Sequence, residues 1–152
     1  MKRLILIPAL FCLFMLNVAS MCSSDDDSTS GNPAPVINLV KQGTWRITSY
    51  IDSGVNETND YNGYNFTFSD ANVLTATNGT NTYTGTWSIV NDSSDDDDSS
   101  SDLDFNILFA APANFADLSD DWDIVTYSAN TISLIDVSGG NGGTDTLVFT
   151  KN

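Results

Sequence analysis

Carboxylates are the most abundant reactive groups in this chain. Its 152 residues include 20 acidic and 5 basic side chains and no histidine, and apart from Glu57 every acid is an aspartate. Without an imidazole there is no Ser-His-Asp or Cys-His proton relay and no ordinary zinc site. A formal net charge of −15 gives the chain no attraction to phosphate backbones, so no nucleic-acid partner is expected. Carboxylates can pair as acid and base for glycoside hydrolysis, one held protonated beside an ionised partner, or they can converge on calcium. Two clusters invite those readings. Asp92, Asp95, Asp96, Asp97, Asp98 and Asp102 crowd residues 92–102, but this run has no glycine to turn the backbone around an ion and no glutamate to bind it with both oxygens. A solvated hairpin loop, its like charges repelling, is the expectation there. Asp117, Asp120, Asp121 and Asp123 surround Trp122, and surface charge is again expected over a metal site. No catalytic residue, metal site or cofactor is assigned, and the chain is not expected to be an enzyme.

A second reactive group is a thiol. The opening MKRLILIPALFCLFMLNVASMC places Lys2 and Arg3 before an apolar run from Leu4 to Leu16, then small and polar residues, which is the layout of a secretory signal peptide over residues 1–21. The apolar run falls short of the roughly 20 residues that span a bilayer. Removal of this leader takes Cys12 with it, leaves Cys22 as the mature chain's thiol, and excludes an internal disulfide. A cysteine at the cleavage point, after Ala19 and Ser20, resembles a bacterial lipobox, with Met21 where Gly, Ala or Ser is usual. The resemblance implies acylation of Cys22, and two or three acyl chains make membrane attachment effectively permanent. The following Ser23, Ser24, Asp25, Asp26 and Asp27 resemble the export signal that sends lipoproteins of Bacteroidetes-type bacteria to the outer face of the outer membrane. Cell-surface display is therefore expected, the alternative being the periplasmic face, with the acids keeping the tether hydrated. Residues 22–35, made of Ser, Asp, Thr, Gly, Asn, Pro and little that is apolar, read as a lipidated flexible tether.

The elements that must position anything else begin at Val36. Val36, Ile37, Leu39 and Val40 suit a short helical turn ending at Gly43. Beyond it, eight extended segments follow: 44–51, 64–68, 73–77, 82–90, 103–109, 122–127, 131–137 and 146–150. Several alternate with period two, as in Tyr83, Trp87 and Ile89 around a small Gly85, or Leu103, Phe105, Ile107 and Phe109, so each has one buried face. The intervening Thr82, Thr84, Thr86 and Ser88 suit an antiparallel sheet with one wet side. Turn formers such as Asp70-Ala71-Asn72, Asn78-Gly79, Ser128-Ala129-Asn130 and residues 139–143 favour hairpins between sequence neighbours. Only residues 112–121 read as helical, with Pro112 near the start and Phe115 and Leu118 three apart. The class is all-β with one short helix, and an eight-stranded antiparallel up-and-down barrel competes with a β-sandwich.

Gly43-Thr44-Trp45, preceded by a helical turn and opening the first strand, resembles the Gly-x-Trp motif of lipocalins and of lipocalin-like domains in bacterial surface lipoproteins. Gly63-Tyr64-Asn65-Phe66-Thr67-Phe68, Gly85-Thr86-Trp87, Trp122 and Leu147-Val148-Phe149 stand where such domains have strand landmarks. The resemblance implies a barrel over residues 36–152, with Gly43 permitting a sharp turn and Trp45 plugging the closed end. Lipocalins stack an arginine from near the last strand on that tryptophan; here no arginine follows Arg46, and Lys151 is the cation available. A lipocalin-like barrel also implies an interior that either holds a small apolar or amphipathic ligand or is filled by side chains. Trp87, Phe66, Phe68, Phe105 and Trp122 are the expected lining of such a cavity. The leading expectation is thus a membrane-anchored lipoprotein with a ligand-holding barrel. The alternative is a structural or adhesive surface domain with a filled core that binds calcium, a surface protein or a glycan; a carboxylate-dependent glycan hydrolase is a weaker third.

Overall fold

The computed structural model describes residues 31–91, 103–138 and 143–152. Helix α1 (Ala34–Val40) starts behind Pro33 and contains Pro35, where proline's fixed φ suits a first turn and its missing N–H costs nothing. Nine strands follow: β1 (Trp45–Asp52), β2 (Val55–Asn56), β3 (Asn65–Phe68), β4 (Val73–Thr77), β5 (Thr82–Asn91), β6 (Leu103–Leu108), β7 (Asp120–Tyr127), β8 (Thr131–Val137) and β9 (Thr144–Lys151), with helix α2 (Ala113–Ala116) between β6 and β7. All eight extended segments read from the sequence are present, and β2 is an addition. The helical stretch expected over 112–121 is shorter, because Asp120 and Asp121 already pair with Ile107 and Asn106 of β6. Ladder bonds to a neighbouring strand outweigh a weak helical preference carried by two apolar residues.

Strands β1 and β3 to β9 follow one another antiparallel around the sheet, and β1 closes on β9. The result is a closed eight-stranded up-and-down barrel, which leaves no long free edge; the sandwich alternative is excluded. The closure between β1 and β9 is extensive, running from Trp45 opposite Lys151 to Ile51 opposite Thr146. The opposite side of β1 is thinner. It meets β3 at the pair Trp45 and Phe66, and β2 folds back on its far end at Ile51 and Asp52. Between those points the chain after β2 supplies partners: Thr58 Oγ1 accepts from the Tyr50 N–H at 2.9 Å, and the Glu57 N–H donates to the Tyr50 carbonyl at 3.0 Å. The Asn152 side chain stitches the other end, donating to Asn65 Oδ1 at 2.7 Å and Thr44 Oγ1 at 3.1 Å.

Alternation puts the apolar set inside. Trp45, Tyr50, Tyr61, Phe66, Phe68, Phe105, Phe109, Phe115, Trp122 and Phe149 are all essentially inaccessible to solvent, and among the described residues no polar or charged side chain other than tyrosine is buried. Gly85 is needed for this packing. A Cβ there would lie 2.8 Å from the Phe109 ring and closer still to the Leu108 carbonyl, so only a residue without one lets the end of β6 pass.

Candidate functional site

Strand directions sort the loops onto two ends. Helix α1, the β3–β4 turn, the β7–β8 turn and both termini of the described domain lie at one. The segment joining β1 to β3, the β4–β5 turn, the α2 segment and the β8–β9 connection lie at the other. Each end is closed, and each by aromatic side chains bonded to the carbonyls of a short helix.

At the α1 end, Gly43 takes a positive φ of 89°, a conformation that favours glycine, and turns the chain so that Trp45 enters the barrel. The indole N–H donates to the Val40 carbonyl at 2.9 Å, capturing one of the carbonyls that a helix C-terminus leaves without an intrahelical partner. Val36 and Val40 are fully buried beneath α1. Lys151 Nζ sits 5.5 Å from the Trp45 ring centroid, so lysine takes the place over the ring in which the lipocalin pattern has arginine. Lys41 pairs with Asp70 of the β3–β4 turn. At this end too, Asn91 Nδ2 donates to the Gly31 carbonyl, just ahead of α1, at 2.6 Å.

At the opposite end the lid is residues 109–119. Ser119 Oγ ties its neck, accepting from the Phe109 N–H at 2.8 Å and donating to the Phe109 carbonyl at 3.1 Å. Three side chains from below hold the lid's carbonyls: Tyr61 Oη donates to Asn114, Tyr50 Oη to Asp117 at 2.7 Å and Trp122 Nε1 to Leu118 at 3.1 Å. Burial, and then the carboxylates of Asp52, Asp145, Glu57 and Asp117, raise the Tyr50 phenol far above its ordinary pKa. The Tyr61 phenol is raised chiefly by burial and by Tyr50. Both therefore stay protonated as donors throughout the physiological range.

The lid inserts Phe115. Its ring lies 4.7 Å from Tyr83, 5.0 Å from Tyr64, 5.3 Å from Phe109, 5.4 Å from Tyr61 and 6.1 Å from Phe66, centroid to centroid. Most of these contacts are edge-on or tilted, the arrangement aromatic quadrupoles favour.

The residues expected to line a ligand cavity are all buried, and there they pack against one another or against neighbouring rings. Phe68, Trp87 and Phe105 form a triangle with centroid separations of 5.4, 5.3 and 6.1 Å, while Phe66 lies 5.4 Å from Phe149 and Trp122 lies 6.3 Å from Tyr50. The Trp87 indole donates to the Ser69 carbonyl at 3.1 Å. This part of the barrel is filled by its own rings. The box around Phe115 has no motif in the sequence; its signals are the spacing of Tyr61, Tyr64 and Phe66 and the phenylalanines on either side of Pro112. Among the described residues, a depression of about 240 Å³ lies between α1, the β3–β4 turn and β5, bordered by Ile37, Lys41, Asp70 and the expected lining residue Trp87, and a shallow one of about 490 Å³ lies across β5, β6 and β7, bordered by Ser88, Asn106 and Asp121.

Cys22, the Ser23, Ser24, Asp25, Asp26 and Asp27 segment and the acidic run 92–102 lie outside the described residues. Among the described residues no three carboxylates converge as metal ligands would. In the second acidic cluster, Asp117 caps α2 and Asp120 and Asp121 begin β7. Asp120 is raised above the ordinary carboxylate range by desolvation and by its hydrogen bond with Asp121.

No family model matches the chain, and no curated protein matches it. Among solved structures it is similar to a DUF4847 family protein from Bacteroides vulgatus, 16% identical with a TM-score of 0.48, the match covering 77% of this chain and 97% of that one.

Proposed function

We propose that the protein is a lipid-anchored lipoprotein of the outer membrane, displayed at the cell surface, whose barrel works by presentation and binding and not by catalysis. Cys22 carries the acyl chains, the residues between it and α1 are the tether, and the barrel stands with its α1 end toward the membrane. One observation carries this reading. The chain enters the barrel at the end sealed by α1 and Trp45, so the end formed by the segment between β1 and β3 and by the lid points away from the anchor. That outer end is rich in neutral hydrogen-bonding groups, among them Asn59, Asn62, Asn78, Asn81 and Asn114, suited to a surface protein or a glycan. The filled interior supports a rigid support for that end.

A second reading, a carrier of a small apolar or amphipathic ligand, draws support from the lid, where one side chain of a short segment occupies a box walled largely by other elements.

The anchor is tested by replacing Cys22 with Ala. The variant is expected to lose all labelling by a clickable fatty acid and to leave the membrane fraction, while on intact cells the wild-type domain is cut by added protease. Fatty-acid labelling that persists in the variant refutes acylation at Cys22, and a wild-type domain protected until the outer membrane is broken refutes surface display.

A further inference from the structure

We propose that the box around Phe115 is a binding site for a compact ring bearing a hydrogen-bond acceptor, and that Phe115 is its resident occupant, displaced when residues 109–119 lift. The proposal rests on the carrier reading and gives that reading a specific location.

The walls and the plug belong to different parts of the chain. Tyr61 and Tyr64 come from the segment before β3, Phe66 from β3 and Tyr83 from β5, whereas Phe115 belongs to the lid. The lid's helical bonds are internal: Phe115 and Ala116 N–H groups donate to Pro112, Asp117 to Ala113, Leu118 to Phe115 and Ser119 to Ala116. Lifting the segment as a unit keeps those bonds. Among the described residues its hydrogen bonds to the barrel below are the donations of Tyr50, Tyr61 and Trp122, and Ser119 and Phe109 form the neck on which it would turn.

The chemistry of the vacated box follows. Interplanar angles of 76° and 71° at Tyr61 and Tyr64, a tilted Tyr83 ring at 53° and a nearly parallel Phe66 ring at 26° define a slot that fits a flat ring better than a flexible chain. An apolar cavity the size of one deleted side chain, roughly 150 Å³, stays dry and admits a benzene-sized guest. A ring that takes Phe115's place while the lid stays raised covers the phenols of Tyr50 and Tyr61 without their carbonyl partners, and a covered donor without a partner is costly. A ligand acceptor at the ring's edge restores those bonds. The lid carbonyls and the ligand's acceptor thus compete for the same two phenols, and the apparent affinity is the intrinsic affinity reduced by the small fraction of open lid.

The test uses the full chain with Cys22→Ala, which stays unlipidated, and two probes of similar shape, ethylbenzene and acetophenone, followed by NMR of the Phe115 ring and the 109–119 amides. Both probes are expected to shift these signals saturably, acetophenone binding several-fold more tightly. Adding Tyr50→Phe and Tyr61→Phe loosens the lid, so ethylbenzene binding should strengthen several-fold while the preference for acetophenone disappears. Adding Phe115→Ala should strengthen ethylbenzene binding at least tenfold. A Phe115→Ala chain with wild-type circular dichroism that binds neither probe overturns the proposal; where that variant does not fold, the double tyrosine variant decides, and unchanged ethylbenzene affinity overturns it. A probe or fluorescent fatty acid that binds with equal affinity to every variant, leaving Phe115 unshifted, removes this site and keeps the carrier reading. Failure of every ligand on every variant ends both.

Discussion

The two ends of the barrel are closed by one device used at different strengths. At each, an aromatic N–H or O–H reaches the carbonyls at the end of a short helix, Trp45 to Val40 at one and Tyr50, Tyr61 and Trp122 to the lid at the other. At the α1 end the plug is a residue of the wall itself: Trp45 pairs with Lys151 on one side and Phe66 on the other, so it cannot leave without breaking the barrel's closure. At the lid end the plug is Phe115, on a segment that pairs with no strand. Equal burial therefore does not mean equal permanence, because what matters is whether the plug's backbone belongs to the ladder.

That contrast predicts unequal costs for the two deletions. Trp45→Ala should destabilise by about 3–5 kcal/mol, a large part of the roughly 5–15 kcal/mol available to a small domain, and should lower the midpoint of urea unfolding accordingly. Phe115→Ala should fall at or below the lower end of the same range, since the lid can settle into the space. Equal losses in urea titrations of the two variants would remove the distinction between the ends.

Next in size is Gly85→Ala. A Cβ would strike the Leu108 backbone and the Phe109 ring, and overpacking of this kind costs about 1–3 kcal/mol. The strain arises where the wall of β5 meets the neck of the lid, so hydrogen exchange should rise at Phe109 and Ser119 before it rises in β1 or β9. Uniform acceleration across all strands would mean that the neck is no weaker than the wall.

Tyr50→Phe and Tyr61→Phe each remove one hydroxyl and keep the ring, for a loss of about 1 kcal/mol apiece. The informative measurement is local: amide exchange within 109–119 should accelerate while the α1 amides keep their protection. If α1 loosens equally, the ends are coupled through the core and the lid is not an independent unit.

Much of this architecture is legible in the sequence, for a physical reason. Alternation in 73–77, 82–90 and 131–137 reports which face meets the core, and each of these strands has one wet face to supply the contrast. The Gly43 and Trp45 spacing marks the α1 plug, and Lys151, the cation near the last strand, stands over Trp45. The lid end was not legible. Phe115 reads as an ordinary apolar helix residue, because its function depends on Tyr61, Tyr64 and Tyr83 arriving from distant segments. The 53–62 segment leaves no mark for a related reason: it fills the thin seam beside β1 through Thr58 and Glu57 main-chain and hydroxyl bonds, which have no hydrophobic period. Strand β7 begins earlier than expected because Asp120 and Asp121 are acids in a strand, disfavoured by propensity and tolerated through pairing with β6.

The smallest expected effect separates the ends by charge. Glu57, on the lid side, is raised above the ordinary carboxylate range by partial desolvation and by Asp52, Asp117 and Asp60; Asp120, at the lid's foot, is raised by desolvation and Asp121. Across the sheet Asp104 stands opposite Asp123 and Asp136 opposite Asp145. A carboxyl whose pKa is higher folded than unfolded binds protons more readily in the native state, so stability falls as pH rises through that window and is regained as pH drops. Melting should therefore occur at a slightly higher temperature at pH 5 than at pH 7, and added salt should raise the melting temperature at pH 7 by screening the same repulsion. Glu57→Gln and Asp120→Asn should each shrink the difference between the two pH values, since each removes one of the groups that generate it. A chain that melts earlier at pH 5, or variants that leave the difference untouched, would locate the acidic strain elsewhere than at the lid.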